Sequence, residues 1–136
     1  MENVLSFFKS EPFTKEYTFN NFKVKLRTLT RAQFDDVMLR ASISVDNIIS
    51  KDAIVKRMIL GYSLVSINGV SVLEIPEIKE GIEDYKKRFN TQLVPTNLVI
   101  EDVLGKADAA YTDSLYDLYT LLKAENQERL EEIKKA

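Results

Sequence analysis

Tyr62-Ser63-Leu64-Val65-Ser66-Ile67-Asn68-Gly69-Val70-Ser71-Val72-Leu73 consists of two β-rich runs joined by Asn-Gly. A two-residue type I′ turn needs positive φ at both central positions, which Asn and Gly tolerate. A turn at Asn68-Gly69 sets Ile67 opposite Val70, Ser66 opposite Ser71, Val65 opposite Val72 and Leu64 opposite Leu73. The face carrying Ile67, Val70, Val65 and Val72 is then wholly aliphatic, and period-2 geometry makes it the expected core face. The other face carries two serines near the turn and two leucines further away.

Working backward, Lys15 to Arg27 reads as a second hairpin, turning at Asn20-Asn21. Phe19 would oppose Phe22 and Tyr17 would oppose Val24. On the other face Thr18 meets Lys23 and Glu16 meets Lys25. One face is apolar and the other polar, as in a half-buried antiparallel pair. An isolated hairpin is marginal in water, so two of them predict one small sheet covered by helices.

The helices follow from caps and apolar spacing. Thr30-Arg31-Ala32-Gln33 matches a capping box, and Phe34, Val37, Met38 and Ala41 form a stripe after it. Ser50 is the expected cap of a helix over Lys51 to Leu60, with Ile54, Val55, Met58 and Ile59 inward and Gly61 as its stop. After Pro76, Glu77 to Phe89 reads as a helix with Ile78, Ile82, Tyr85 and Phe89 in line. Pro95 breaks the chain, Thr96 caps a short helix to Leu104, and Gly105 stops it. Asp113 to Lys135 reads as the longest helix. Its first half is dense in Leu and Tyr, and its second half offers mainly Leu130 and Ile133 among charges.

The fold class expected is therefore α+β: a small antiparallel sheet of two β-hairpins packed against several helices, with a long C-terminal helix. The organisation is a single domain over 1–136. It comprises an N-terminal strap over 1–12, an α+β core over 15–112 and the C-terminal helix over 113–136. Its 136 residues suffice for one real core.

Composition narrows the chemistry. Apolar residues make up 45% and charged residues 29%, and the net charge of −2 gives no global attraction to nucleic acid or acidic membranes. No apolar run approaches the roughly 18 residues of a membrane span. Met1 to Lys9, with Glu2 and a very short apolar core, makes a poor signal peptide. Cysteine and histidine are absent, which removes thiolate nucleophiles and the ordinary proton shuttle near neutral pH. The adjacent acid pairs Asp35-Asp36 and Glu101-Asp102 fall on predicted helices, where neighbours diverge by about 100° and read as solvated faces. The four glycines form no phosphate-cradling loop, and calcium and zinc spacings are missing. The sequence thus predicts no catalytic, cofactor-binding or metal site.

Two basic clusters stand out. Lys23, Lys25, Arg27 and Arg31 follow one strand and the next helix start, and Lys86-Lys87-Arg88 lies between Tyr85 and Phe89. Basic and aromatic residues interleave in this way in single-strand binders, but alternation on a half-buried strand produces the same pattern and nearby acids balance the charge. Nucleic acid is therefore not the expected partner. The candidate contact residues are Val4, Leu5, Phe7 and Phe8 with Leu130 and Ile133, apolar side chains at the chain ends, which would meet a partner or another copy.

In order along the chain, a basic strand Phe22-Lys23-Val24-Lys25-Leu26-Arg27 leads into Thr28-Leu29-Thr30-Arg31-Ala32-Gln33-Phe34. A helix over Ala53 to Leu60 then runs into Ser63-Leu64-Val65-Ser66-Ile67-Asn68-Gly69. Over residues 15 to 75 this resembles the tail assembly chaperones of tailed bacteriophages, or small tail and baseplate proteins related to them. The resemblance implies a non-enzymatic protein in the host cell cytoplasm. It would bind the tape measure protein and keep it soluble while tail tube subunits polymerise around it. The rival class is a structural subunit of the virion, at the tail tip or baseplate, with virion neighbours as its partners.

Overall fold

The computed structural model describes residues 12–44 and 48–135, with the backbone alone at 44 and 48–51. Strands β1 (Thr14–Phe19), β2 (Phe22–Arg27), β3 (Leu64–Ile67) and β4 (Val70–Ser71) form one antiparallel sheet in the order β1-β2-β3-β4. Helices α1 (Arg31–Ser44) and α2 (Ile48–Ser63) lie between the two hairpins in sequence. A 3-10 turn (Val72–Glu74), α3 (Pro76–Phe89), α4 (Thr96–Gly105) and α5 (Ala109–Lys135) follow them. The fold is the α+β arrangement that the hairpins and helical stripes predict.

Both turns are where the asparagines place them. Asn20 and Asn21 have φ of 47° and 67°, and Asn68 and Gly69 have φ of 52° and 78°. The first hairpin keeps the expected register throughout, including Tyr17 opposite Val24 and Glu16 opposite Lys25. Asn68 also joins the hairpins. Its backbone N–H donates to the Lys23 carbonyl at 2.7 Å, and its Oδ1 accepts from the Lys23 N–H at 2.8 Å.

The second hairpin departs from expectation in two ways. Only Ile67–Val70 and Ser66–Ser71 pair. Ser71 Oγ then accepts from the Leu73 N–H, and Val72–Glu74 winds into the 3-10 turn instead of extending the strand. Ile75, extended ahead of Pro76, then leads the chain into α3. The second departure is on β3. Lys25 pairs with Ser66 but Leu26 pairs with Leu64, so Val65 is an extra residue with no partner. This bulge turns Leu64 to the side shared by Val24, Leu26 and Ile67. Leu64 is 5% exposed and Val65 only half-buried, while Val70 is 49% exposed. The core face is therefore Leu64 with Ile67, and Val65 and Val70 do not belong to it.

Helix α5 lies across β1 and β2, and α2 also packs on β2. Helices α1, α4 and α5 surround α2, and α3 packs on α4. Val24, Leu26, Val37, Leu60, Leu64 and Leu122 are among the buried centre of one continuous core. The capping box forms as predicted: Thr30 Oγ1 accepts from the Gln33 N–H and Gln33 Oε1 from the Thr30 N–H.

Several boundaries move. Ser50 lies inside α2, and the helix runs through Gly61 to Ser63. Gly61 is kept small by packing, because a Cβ there would come within 2.8 Å of both the Asn97 carbonyl oxygen and Glu101 Cγ. Thr96 is the first residue of α4, preceded by Pro95, and Gly105 is its last. Helix α5 begins at Ala109, four residues before the expected start, because Asp108 Oδ1 accepts from the Ala110 N–H. Met38, expected in the buried stripe of α1, is 39% exposed.

Candidate interaction surface

One cluster of polar side chains joins three helices. Arg40 on α1 donates from Nη1 and Nη2 to the two carboxylate oxygens of Glu101 on α4, at 2.9 and 2.8 Å. Its Nε donates to Asp36 Oδ2 one turn back on α1 at 3.0 Å. The Tyr62 hydroxyl on α2 donates to the same Asp36 oxygen at 2.6 Å. One acid of each adjacent pair is thus turned inward. Asp36 and Glu101 converge on Arg40, while Asp35 and Asp102 make exposed one-turn pairs with Arg31 and Lys106. The expectation that both acid pairs are solvated faces is wrong for Asp36 and Glu101. The two-pronged contact to Glu101 raises the Arg40 pKa further, so it stays charged. Burial, then the hydrogen bond to Asp36, pushes the Tyr62 phenol up to about 12. The guanidinium thus stays charged and the phenol keeps its proton near neutral pH. Their geometry is that of a clamp joining α1, α2 and α4.

The basic clusters are partly spent in the same way. Arg27 Nε donates to the Tyr62 carbonyl at 3.0 Å, Lys25 stands opposite Glu16, and Lys86 pairs with Glu83. Lys86, Lys87 and Arg88 form the last turn of α3, where positive charge complements the helix dipole. Among the described residues no group of three or more Asp or Glu side chains is gathered to hold a metal ion, and no helix is long and apolar enough to cross a membrane.

Phe22, Val70, Leu73, Leu93, Tyr111 and Leu121 are exposed apolar side chains, and three further places on the helices stand out. On α1, Leu39 and Ile43 are one turn apart and 63% and 77% exposed. Between α3 and α4 an open groove of about 730 Å³ has Tyr85, Phe89, Leu98 and Val103 in its walls. The Tyr85 and Phe89 rings lie 4.5 Å apart. The helices approach closely beside the groove because position 81 is glycine, where a Cβ would fall 2.6 Å from Val99 Cγ1. Glu77, Glu80 and Asp84 line the α3 side of this groove.

The third place is the end of α5. Thr112, Leu115, Tyr119 and Leu122 are its buried stripe. Leu130 and Ile133, two of the expected contact residues, continue that stripe and are 38% and 58% exposed. Arg129 rests over the Phe13 ring at 5.2 Å, and Lys15 pairs with Glu125. Val4, Leu5, Phe7 and Phe8 lie outside the described residues. The Arg40 clamp, the groove and the Leu39–Ile43 patch escape a reading of the sequence, although Asp36 and Arg40 at i and i+4 were a visible signal. Compared with protein-family models, curated protein sequences and solved structures, the chain matches none.

Proposed function

We propose that the chain is a non-enzymatic protein that works by binding other chains. On the resemblance of residues 15 to 75, it serves as a tail assembly chaperone of a tailed bacteriophage. One observation carries the binding reading. Large apolar side chains stand exposed on α1, along the α3–α4 groove and at the end of α5, whereas Asp36, Arg40 and Glu101 are held to one another in ion pairs. Exposed apolar surface rimmed by charge is what a protein interface requires. The partners under this reading are the tape measure protein and the tail tube subunits, met in the host cell cytoplasm.

The test is co-expression with the tape measure protein of the same phage. The wild-type chain should hold that protein in the soluble fraction and co-purify with it. The double variant Leu39→Asp/Ile43→Asp, both at exposed positions, should fold and lose this activity if α1 is the contact. Mass spectrometry of purified particles separates the rival class. A chaperone is absent or at trace level there, and a stoichiometric amount would make the protein a structural subunit of the tail tip or baseplate.

A further inference from the structure

We propose that the groove between α3 and α4 receives the last turns of α5 from a second copy of the chain, so that molecules join head to tail. Three observations converge on this pairing: length, side-chain pattern and charge.

The final segment Asn126–Lys135 has ten residues, as does α4, which forms one wall of the groove. At about 1.5 Å per residue both are roughly 15 Å long. The stripe on α5 that buries Leu115, Tyr119 and Leu122 in its own molecule continues through Asn126, Leu130 and Ile133. Leu130 and Ile133 are exposed, so the stripe is uncovered where the helix leaves its own sheet. The groove offers a matching apolar lining in Tyr85, Phe89, Leu98 and Val103.

Charge is complementary along the edges. At about 100° per residue, Arg129 and Lys134 flank the Leu130–Ile133 stripe on either side, while Glu128, Glu131 and Glu132 fall on the far face. The groove edge on α3 carries Glu77, Glu80 and Asp84, which make no ion pair among the described residues, with Arg88 at its far end; across the groove Lys106 is paired with Asp102, so the lining stays net acidic. The pair of Lys134 with Glu131 is loose, at 3.6 Å with both side chains more than half exposed, so Lys134 can exchange partners. A tail and a groove are different surfaces, so the contact is heterologous and can repeat from copy to copy.

Sedimentation velocity of the purified full chain over a range of concentrations tests this. The wild type should grow from the 15.6 kDa monomer to at least twice that mass, less readily at high salt. The groove variant Glu80→Lys/Asp84→Lys and the tail variant Leu130→Asp/Ile133→Asp alter exposed side chains. Each alone should keep wild-type circular dichroism and remain a monomer. Mixed in equal amounts they should form a two-chain species and nothing larger, because one intact tail then meets one intact groove. A wild type that stays monomeric throughout, as when its own residues 1–11 cover the stripe, overturns the proposal. So does a mixture that stays monomeric, or association that survives in either variant alone.

Discussion

Arg40 shows what one side chain contributes here. Its planar fork meets both oxygens of Glu101 and one of Asp36, a geometry that an ammonium cannot reproduce. Arg40→Lys should therefore destabilise the fold by about 1–3 kcal/mol despite keeping the charge, read as a lower midpoint in urea. Two tyrosines make a contrasting pair. The Tyr17 hydroxyl is buried near the Glu125 carboxylate without a well-formed hydrogen bond among the described residues, and the Tyr62 hydroxyl donates to Asp36. Tyr17→Phe should be neutral or stabilising at neutral pH, and Tyr62→Phe should lose about 1–2 kcal/mol. Burial first, then a nearby carboxylate, pushes both phenols from the ordinary 10.0 up to about 12. The folded state thus holds these protons more tightly than the unfolded chain. Their contribution is complete below pH 10 and is lost as pH rises through about 12. Tyrosinate absorbance during an alkaline titration should show a late-titrating fraction that shrinks in each Phe variant. At this scale the sequence was half legible. The Asp36–Arg40 spacing and the Thr30–Gln33 box lie within one helix. Glu101 and Tyr62 reach Arg40 only through tertiary packing, which no local pattern encodes.

Elements were more legible than residues because each has its own period. Both asparagine turns and the whole first register follow from alternation and positive φ. The error on β3 is instructive, since a single extra residue reverses the faces of everything before it. Val65 and Leu64 are both aliphatic, so hydrophobicity could not say which one the bulge would turn inward. The consequence is testable by a charge at each. Leu64→Asp should unfold the domain, because it places an unpaired carboxylate at a 5% exposed site. Val65→Asp should remain folded with a modest loss, as judged by circular dichroism and thermal midpoint. Equal loss in both would place Val65 in the core. Gly61 was misread for a related reason. Glycine after an apolar run commonly ends a helix. Here its lack of a Cβ lets the Asn97 carbonyl and Glu101 approach α2, a demand made by α4 rather than by local sequence.

For the whole molecule, α5 sets the division between what holds the fold and what is left for partners. Its 27 residues run from Phe19, whose ring meets Tyr111 edge-on at 5.5 Å, to side chains beyond the sheet. The sequence told these halves apart by density: leucines and tyrosines up to Leu122, then charges with Leu130 and Ile133. It could not place the crossover, because that depends on where β1 and β2 stop beneath the helix. Leu122 is fully buried, Glu125 still pairs with Lys15, and from Gln127 onward every described side chain is exposed. Two truncations should therefore behave differently. Ending the chain after Asn126 removes Arg129 from Phe13 and otherwise only exposed residues, so the thermal midpoint should shift by no more than a few degrees. Ending it after Thr120 removes Leu122 from the core, a loss of about 2–5 kcal/mol before the exposed sheet face is counted. Against a typical stability of about 5–15 kcal/mol, that chain should be largely unfolded at growth temperature. A stable product ending at Thr120 would show that Leu115 and Tyr119 alone cover β1 and β2, and that α5 from Leu121 onward is free to serve a partner.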